Sequence, residues 1–378
     1  MDYKKESIKL HRMYKGKIQV ALKTKVENKQ DLSLIYTPGV AEAVKLIAKN
    51  KNEALALTNK ANQVAIVTDG SAILGLGNLG PEAALPVMEG KSVLFKKFAG
   101  IDAIPICLNT QDSNEIIKTI KNISPVFSGI NLEDISAPRC FEIEEKLQRE
   151  LDIPVFHDDQ HGTAIVILAG LINSLKLLRK KFKECKIVIN GAGAAGIATS
   201  ILLNEMSPKD IVVLDSKGIV SKKRTDLNFK KKEILKFTNQ NNISGNLEDA
   251  IKKADIFIGV SKPNVLTHSM IKKMNDPIVF ALANPDPEIT YLEAKKAGVK
   301  IIATGRSDFP NQINNALVFP ALFRGLLNNK IKRVTTRIKL NAAKALADSV
   351  KDLSKDKIIP SIFDKNYIKN IIESTKKI

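Results

Sequence analysis

The segment from residue 186 to residue 205 constrains the fold of this chain more than any other part of its sequence. A β-branched run, Lys186–Asn190, leads into the loop Gly191-Ala-Gly-Ala-Ala-Gly196, and an apolar helical pattern, Ile197–Glu205, follows it. A strand, a glycine-rich loop and a helix in this order are typical of the phosphate-binding loop of a dinucleotide site. A glycine-rich turn without a ligand is the alternative, and the flanking strand and helix disfavour it.

Each position of this loop has a predicted part in holding a dinucleotide. Gly191 permits the tight turn, Gly193 lets the backbone approach the pyrophosphate, and Gly196 lets the helix pack closely on the strand. Ala194 and Ala195 lie within the loop and are expected to contact the cofactor. The N-terminus of the following helix has free N–H groups and the positive end of the helix dipole, which favour phosphate. The loop therefore predicts that NAD or NADP binds here.

The choice between the two cofactors is predicted from residues roughly 20 positions beyond the loop. Asp215 ends the apolar run Ile211–Leu214, and Ser216 and Lys217 follow at once. A carboxylate at this place accepts hydrogen bonds from the adenosine ribose and repels a 2′-phosphate, which favours NAD. Ser216 and Lys217 are able to bind that phosphate. The sequence favours NAD slightly and leaves the use of both cofactors open.

The region around the glycine loop alternates short apolar runs with helical stretches. The further apolar runs are Ile211–Leu214, Ile256–Val260, Ile278–Ala281 and Lys300–Ala303. This alternation predicts a doubly wound, Rossmann-like parallel sheet of the α/β class in residues 161–330. A long helix is predicted from Thr163 to about Lys180. Residues 331–378 are predicted to form amphipathic helices that pack back onto the body.

Residues 1–160 are predicted to form a separate, N-terminal domain of mixed α/β structure. A length of 378 residues agrees with two domains. Strands are predicted at Gln63–Val67 and Ala103–Cys107. Helices are predicted at Glu42–Lys49, Glu82–Phe95, Asn114–Lys121 and Arg139–Arg149.

Two acidic pairs follow predicted strands in this first part of the chain. Glu133 and Asp134 come after the apolar run Pro125–Ile130, and Asp158 and Asp159 come after the run Ile153–Phe156. Strand carboxyl ends are where α/β proteins place ligands, and oxygen ligands suit Mg²⁺ or Mn²⁺. Capping of the following helix by the second pair is the alternative. Two such pairs make a metal site the better interpretation.

The histidines near the second acidic pair have a different predicted role. His157 and His161 flank the pair and are interpreted as positioning or core groups rather than metal ligands. Structural zinc is disfavoured, because too few histidines and cysteines lie nearby.

The composition limits the class of protein. The formal net charge is +19, and the lysines occur in short scattered runs such as Lys222-Lys223-Arg224 and Lys230-Lys231-Lys232. A basic surface can bind nucleic acid or attract a dianionic substrate. We interpret the runs as solvated faces, because no aromatic residues interleave with them as a stacking platform would require. Nucleic acid is not expected as a partner.

The sequence indicates a cytoplasmic protein. The segment Met1–Glu6 lacks the apolar core of a signal peptide. No apolar run reaches the ~18 residues that a membrane span needs, so no membrane partner is expected. Cys107, Cys140 and Cys185 are an odd number of widely spaced cysteines, which is typical of reduced thiols.

The acidic pairs and the glycine loop belong to a longer set of motifs that resembles the malic enzymes, specifically their short prokaryotic form. The resemblance covers nearly the whole chain. Its further motifs are His11–Ile18, Asp31–Ala41, Val67–Asn78, Met88–Lys91, Asn131–Pro138, His157–Ala164, Ala281–Pro285, Pro310–Asn315 and Phe319-Pro320. It implies the two-domain fold described above and the oxidative decarboxylation of L-malate to pyruvate and CO₂.

The resemblance also implies the roles of individual residues. Tyr36 is the expected acid that protonates the enol, and Lys91 is the expected base that takes the hydroxyl proton, with its pKa lowered by burial. Asp158 is expected to orient or tune Lys91. The remaining roles are metal ligation by Glu133, Asp134 and Asp159, substrate carboxylate binding by Asn284 and Asn315, and contacts near the nicotinamide by Thr163 and Asn284.

The chain departs from the longer malic enzymes at one substrate position. Those enzymes carry an arginine that grips a malate carboxylate, where this sequence has Ala72. Ser71, the asparagines, loop N–H groups or another cation are expected to bind the carboxylate instead. The family also suggests a homodimer, and the sequence leaves open whether Tyr36 serves its own active site or that of the partner.

Two alternative functions stay open at this point. One is a decarboxylase of oxaloacetate or a dehydrogenase of a related 2-hydroxy diacid. The other is a basic nucleotide-binding protein without a primary catalytic role, which the presence of Tyr36, Lys91 and all the carboxylates disfavours.

Overall fold

The computed structural model describes residues 3–376. Met1 and Asp2 of the predicted N-terminal domain, and the last two residues of the predicted C-terminal helices, lie outside the described residues. The described chain contains two sheets, each covered by helices, and the long helix between them is shared by both.

The first sheet has four parallel strands in the order β2-β1-β3-β4. Its strands are β1 (Gln63–Thr68), β2 (Asp102–Cys107), β3 (Gly129–Leu132) and β4 (Val155–His157). The helices of this part are α1 (Tyr3–Tyr14), α2 (Lys29–Ile35), α3 (Val40–Lys49), α4 (Ala54–Leu57), α5 (Pro81–Ala99), α6 (Ser113–Ile123), α7 (Arg139–Glu150) and α8 (Asp158–Leu178). In register, Val64 of β1 pairs with Gly129 of β3, and Ile130 pairs with Val155 of β4.

The second sheet has six strands in the order β10-β9-β8-β5-β6-β7, of which only β7 runs antiparallel to its neighbour. Its strands are β5 (Lys186–Asn190), β6 (Asp210–Asp215), β7 (Gly218–Ile219), β8 (Ile256–Gly259), β9 (Ile278–Ala281) and β10 (Ile301–Thr304). The strand order reverses between β5 and β8, which is the switch point at which doubly wound sheets bind ligands. The predicted α/β class and Rossmann-like sheet are confirmed.

The second half of the chain contributes eight more helices to the described structure. They are α9 (Ala194–Asn204), α10 (Phe229–Ile234), α11 (Leu247–Ile251), α12 (His268–Ile271), α13 (Tyr291–Lys296), α14 (Phe319–Asn328), α15 (Thr336–Asp348) and α16 (Lys365–Ser374). Short 3₁₀ turns lie at Lys51–Glu53, Asn59–Asn62, Ser124–Val126, Phe182–Glu184 and Asn315–Leu317. The C-terminal helices α15 and α16 pack on α8 and α14.

Helix α8 is the central helix of the core. It packs against α9 on one side and α15 on the other, and its apolar residues are buried along most of its length. Among residues 3–376 it is the one helix long and apolar enough to cross a membrane, but 67% of that stretch is buried inside the protein. The helix begins at Asp158 rather than at the predicted Thr163. Both acids therefore occupy its first turn, where the helix dipole favours negative charge.

The strands and helices around the glycine loop agree closely with those expected. Strand Lys186–Asn190 is confirmed at both ends, whereas the helix after the loop begins at Ala194 instead of Ile197. Gly193 is the N-cap residue of that helix, so the loop contributes its last three residues to the first helical turn.

The N-terminal segment carries an unusual amount of exposed apolar surface. The described residues of helices α1 to α4 include no buried side chain. Val20 is 96% exposed, Leu22 79% and Leu34 74%. Exposed apolar side chains in such number are typical of an interaction surface.

Candidate active site

The two acidic pairs meet because neighbouring parallel strands end side by side. Glu133 and Asp134 follow β3, and Asp158 and Asp159 follow β4 in the first turn of α8. One ligand atom each of Glu133, Asp134 and Asp159 lies within 4.8 Å of the others. The predicted grouping of the three carboxylates is thus present in the structure.

The side chains of the second pair do not cap α8. His157 is the N-cap residue, and it makes no side-chain capping hydrogen bond. Asp159 instead accepts a hydrogen bond from the backbone N–H of Asp134 at 2.9 Å, and Asp158 accepts one from Lys91. The geometry therefore favours the site interpretation of these acids over the capping alternative.

The three carboxylates form a crowded, buried acidic cluster. Burial raises the pKa of Glu133 to about 7, with a further contribution from Asp159. Burial, Asp159 and Glu133 together raise the pKa of Asp134 to about 9. Such shifts arise when like charges are held close together without enough positive charge between them. A divalent cation would supply that charge.

The donor chemistry of the cluster fits Mg²⁺ or Mn²⁺. All three groups offer carboxylate oxygens, which hard cations prefer. The buried Oδ2 atom of Asp134 has no hydrogen-bond partner among the described residues. Asp134 also has φ of +52°, a backbone conformation that aspartate and asparagine tolerate better than most residues. The loop thus directs an unpaired carboxylate oxygen into the cluster.

Lys91 lies beside these acids on α5. Its Nζ atom is 2.9 Å from Glu133 and also donates to Asp158, and the residue is only 7% exposed. Its ammonium group also lies over the ring of Phe319, 4.3 Å from the centroid. Lys91 is therefore a buried cation inside the acidic cluster and not the surface lysine that composition alone would suggest.

The expected lowering of the pKa of Lys91 is wrong for this arrangement. Burial does favour the neutral amine, but the charges of Asp158, Glu133 and Asp159 outweigh it and raise the pKa above its ordinary value. Asp158 lies beneath Lys91 with 0% exposure, and burial raises the pKa of its carboxyl to about 7. The two groups form one buried ion pair.

A cavity of about 610 Å³ joins the acidic cluster to the glycine loop. It lies between the carboxyl ends of the two sheets. The predicted residues that line it are Lys91, Glu133, Asp134, Asp159, Thr163, Gly193, Ala194, Ala195, Asn284 and Asn315. Ala72 also lines it. One cavity is thus lined by residues predicted to bind the metal, the substrate and the cofactor.

The glycine loop has the close backbone contacts that its pattern predicts. A Cβ atom on Gly196 would lie 1.7 Å from the carbonyl oxygen of Gly191, so only glycine lets this turn close. Gly191 has φ of +131° and approaches the carbonyl of Val260 at the end of β8. A Cβ atom on Gly193 would meet no atom within 4 Å, so this side of the residue is open to the cavity. This geometry suits a pyrophosphate group at the start of α9.

The adenosine end of the predicted cofactor site is more basic than the sequence suggested. Asp215 accepts hydrogen bonds from Arg224 at 2.7 and 3.0 Å and from Lys231 at 2.6 Å. Burial opposes ionisation, but these two cations hold the pKa of Asp215 below its ordinary value. Lys217 turns its side chain towards Asp226, 2.8 Å away, and Ser216 lies between Asp215 and Lys217 in the same exposed turn.

The basic runs were therefore only partly interpreted correctly. Arg224, Lys230 and Lys231 have side chains that are 11 to 18% exposed and held in ion pairs, so they are not solvated faces. Arg224 and Lys230 also pair with the near neighbours Asp226 and Glu233. Their other partners, Asp215 and Glu145, lie farther away in sequence, and no local pattern reveals that pairing.

Eight predicted residues do not line the cavity. Six of them are described above, namely Asp158, Gly191, Gly196, Asp215, Ser216 and Lys217, and the other two are Tyr36 and Ser71. Tyr36 is the C-cap residue of α2 and is 67% exposed, and it does not line the cavity within this chain. Ser71 donates to Asp69 at 2.5 Å and accepts from the backbone N–H of Ser136 at 2.9 Å. Asp69 is paired in turn with Arg139 at 3.0 Å. Ser71 thus holds two loops together, a role that the sequence did not indicate.

Comparisons with known proteins agree with this geometry. The family profile described as "Malic enzyme, N-terminal domain" matches residues 15–148, and the profile "Malic enzyme, NAD binding domain" matches residues 160–374. The chain belongs to the malic enzyme family. It is thus an NAD(P)-dependent enzyme of the type that oxidises and decarboxylates malate.

Individual relatives of the family are similar over nearly the whole chain. A bifunctional malic/malolactic enzyme of Bacillus subtilis is 51% identical, over 100% of this chain and 93% of the relative. An NAD-dependent malic enzyme of Geobacillus stearothermophilus is 52% identical, over 94% of this chain and 75% of the relative. The crystal structure of an NAD-dependent malic enzyme from Thermotoga maritima superposes with a TM-score of 0.95 at 47% identity, covering 98% of each chain.

Proposed function

We propose that this malic enzyme converts L-malate to pyruvate and CO₂ with Mg²⁺ or Mn²⁺ as its metal, in the cytoplasm. The observation that carries the proposal is the single cavity that joins the Glu133, Asp134 and Asp159 cluster to the glycine loop. When bound there, the divalent ion would polarise the C2 oxygen of the substrate, and NAD(P) would accept the hydride from C2. The overall change is malate plus NAD(P)⁺ to pyruvate, CO₂ and NAD(P)H.

Lys91 and Asp158 are the proposed pair for the first proton transfer. The Nζ atom of Lys91 lines the cavity beside the carboxylates, where it can reach the C2 hydroxyl of a bound substrate. Asp158 contacts the same Nζ atom from the buried side and can accept its proton. Lys91 then takes the hydroxyl proton of malate as the hydride leaves C2.

Tyr36 is the proposed acid for the last step, and we place it in the active site of the partner subunit of a homodimer. It would donate its phenolic proton to C3 of the enol that remains after CO₂ has left. Tyr36 is 67% exposed and lies outside its own cavity, on the segment that presents the unburied apolar side chains of α1 to α4. Packing of this segment on a second copy would bury that surface and bring Tyr36 to the other site.

Substrate carboxylates are proposed to bind to polar groups that line the cavity and carry no charge. Asn315 and Asn284 both line the cavity. Asn284 lies against Gly305, whose missing Cβ would meet its side-chain nitrogen at 2.9 Å. Residues 161–330 thus supply the cofactor site and these amides, while residues 1–160 supply the acids and Lys91. This division is the proposed two-domain organisation, with residues 331–378 packed on the body.

The decisive assay supplies L-malate, Mn²⁺ and either NAD or NADP. It follows the absorbance of the reduced cofactor together with the products. We expect pyruvate and reduced cofactor in equal amounts. Lactate without net reduced cofactor would indicate the malolactic activity named for the Bacillus subtilis relative. Turnover of oxaloacetate alone would favour the decarboxylase alternative, and no turnover of any diacid would contradict the proposal.

Cofactor choice is expected to depend on the charges around Asp215. Asp215→Ala should raise kcat/KM with NADP relative to NAD by about 10- to 150-fold, because Arg224 and Lys231 are then free to pair with the 2′-phosphate. Lys217→Ala is the comparison variant, and a smaller change is expected since Lys217 already pairs with Asp226. The measurement is kcat/KM for both cofactors. An unchanged ratio in Asp215→Ala would show that the adenosine end is recognised by other residues.

A further inference from the structure

Glu144, on α7, is a buried carboxylate that no step of the proposed reaction uses. It is 4% exposed, and it lies against the start of α8 on the side away from the cavity. Both of its oxygens are engaged. Oε1 accepts the backbone N–H of His157 at 2.8 Å, and Oε2 accepts from the side chains of Gln160 at 3.1 Å and His161 at 2.9 Å.

The three donors surround the two catalytic-site acids in the chain. His157 is the N-cap residue of α8, and Gln160 and His161 complete its first turn. Asp158 and Asp159 lie between them. Because Glu144 holds the residue before the acids and the two residues after them, it fixes both the position and the rotation of that turn.

The carboxylate of Glu144 is ionised in this setting. Burial opposes its charge, but the contact with His161 and the nearby Lys339 ammonium outweigh burial and lower the pKa of Glu144 to about 2. His161 is in turn contacted through Nδ1 by the Nζ atom of Lys339 on α15, at 3.0 Å. Lys339 therefore supports the imidazole from the C-terminal helices, and Glu144 receives charge-assisted hydrogen bonds, which are stronger than neutral ones.

We propose that Glu144 is a positioning residue for the metal site, which sets the directions of Asp159 and Asp158 through its three hydrogen bonds to the first turn of α8. This inference rests on the proposed metal site. Groups behind the ligands of a metal site commonly control its affinity by holding those ligands in place. Glu144 contacts neither the cavity nor the acids themselves, so it acts through the helix turn.

The contacts on the cavity side of this turn explain why a small rotation of the turn would displace Asp158 and Asp159. Asp159 accepts from the N–H of Asp134, and Asp158 contacts Lys91, so both acids already have partners on the cavity side. A rotation of the turn would break these contacts together. It would also separate Asp159 from Glu133 and Asp134, whose ligand atoms now lie within 4.8 Å of it.

Glu144→Gln tests the inference with little change of shape. A glutamine offers one acceptor oxygen, and its amide nitrogen would face a donor that now meets a carboxylate oxygen. We expect the Kd for Mn²⁺, measured from the free-ion EPR signal without substrate or cofactor, to rise by about 10- to 100-fold. Glu145→Gln is the matched control, because Glu145 is the next residue, is half exposed and pairs with Lys230. Its Kd should stay within about two-fold of the parent's.

The outcomes separate this inference from the proposed function. A parent protein that binds no Mn²⁺ would contradict the metal site itself. A parent that binds Mn²⁺ and a Glu144→Gln variant of equal affinity would overturn the positioning role, even if the variant melts at a lower temperature. If Glu144→Gln does not fold, the affinity of the Gln160→Leu variant for Mn²⁺ tests the inference instead. It removes one of the three donors and should raise the Kd for Mn²⁺ by a smaller factor, and an unchanged Kd would again overturn the inference.

Discussion

Lys91→Ala is expected to lower kcat for malate oxidation by about 10²- to 10⁴-fold, the usual contribution of a general base. The reason is that Lys91 is the one buried amine beside the acidic cluster among residues 3–376. The measurement is reduced cofactor formed from malate, with binding of NADH as the check that the fold is intact. Partial recovery of the rate on addition of methylamine would identify the lost group as an amine that moves a proton. A variant within a few-fold of the parent would contradict the assignment.

Tyr36→Phe is expected to impair a different step from Lys91→Ala, the protonation of the enol. If the dimer proposal holds, it impairs that step in the active site of the partner subunit. Loss of the acid should leave hydride transfer less affected than release of pyruvate, so the two variants should differ in their relative rates of malate oxidation and pyruvate formation. The dimer proposal makes a sharper test possible. If Tyr36 serves the partner's site, mixing inactive Lys91→Ala and Tyr36→Phe subunits creates one intact site per mixed dimer. Random exchange should then restore about a quarter of the parent's activity.

The control for this mixing experiment is Tyr14→Phe in place of Tyr36→Phe. Tyr14 is also exposed and also lies on the N-terminal segment, at the end of α1. A Tyr14→Phe protein should be active alone. If a mixture of Lys91→Ala and Tyr36→Phe stays inactive although the subunits exchange, Tyr36 acts within its own chain or not at all.

Asp134→Asn is expected to reduce malate turnover below about one-thousandth of the parent's rate, because loss of one carboxylate ligand removes charge and an oxygen donor from the metal site. Asparagine tolerates the positive φ of +52° at this position, so the loop conformation should survive. The parent should likewise lose activity in excess EDTA and regain it with Mn²⁺. Asp152→Asn, whose side chain is 85% exposed, is the control. Full activity of the parent in EDTA would contradict the metal assignment.

Local patterns were enough to predict the parts of the site that are local in the chain. The strand, glycine loop and helix around Gly191 depend on backbone contacts within a few residues, and strand ends at Glu133 and Asp158 can be predicted from apolar runs. Parallel neighbours then bring those ends together. Because β3 and β4 are adjacent in the sheet, the acidic cluster follows from the strand order, which the sequence alone did not predict.

Contacts between residues far apart in sequence could not be predicted in this way. The pair of Lys91 with Asp158 spans 67 positions, and it reverses the expected direction of the pKa shift. Asp215 forms ion pairs with Arg224 and Lys231, which belong to two different basic runs. No sequence pattern marked Glu144 as a buried residue, because a glutamate on an amphipathic helix resembles any solvated charge. Such pairings depend on how elements pack, which is a property of the whole fold.

The shared helix α8 also limits which insertions and deletions this chain can accept during evolution. Its first turn carries Asp158 and Asp159, and further along it packs on α9, which begins at the glycine loop. One inserted or deleted residue within α8 would turn everything beyond it by about 100° and shift it by about 1.5 Å. The packing faces would then no longer match. A substitution inside α8 changes the contacts of one side chain, whereas a gain or loss of length changes all of them, so changes of length are expected only in loops elsewhere.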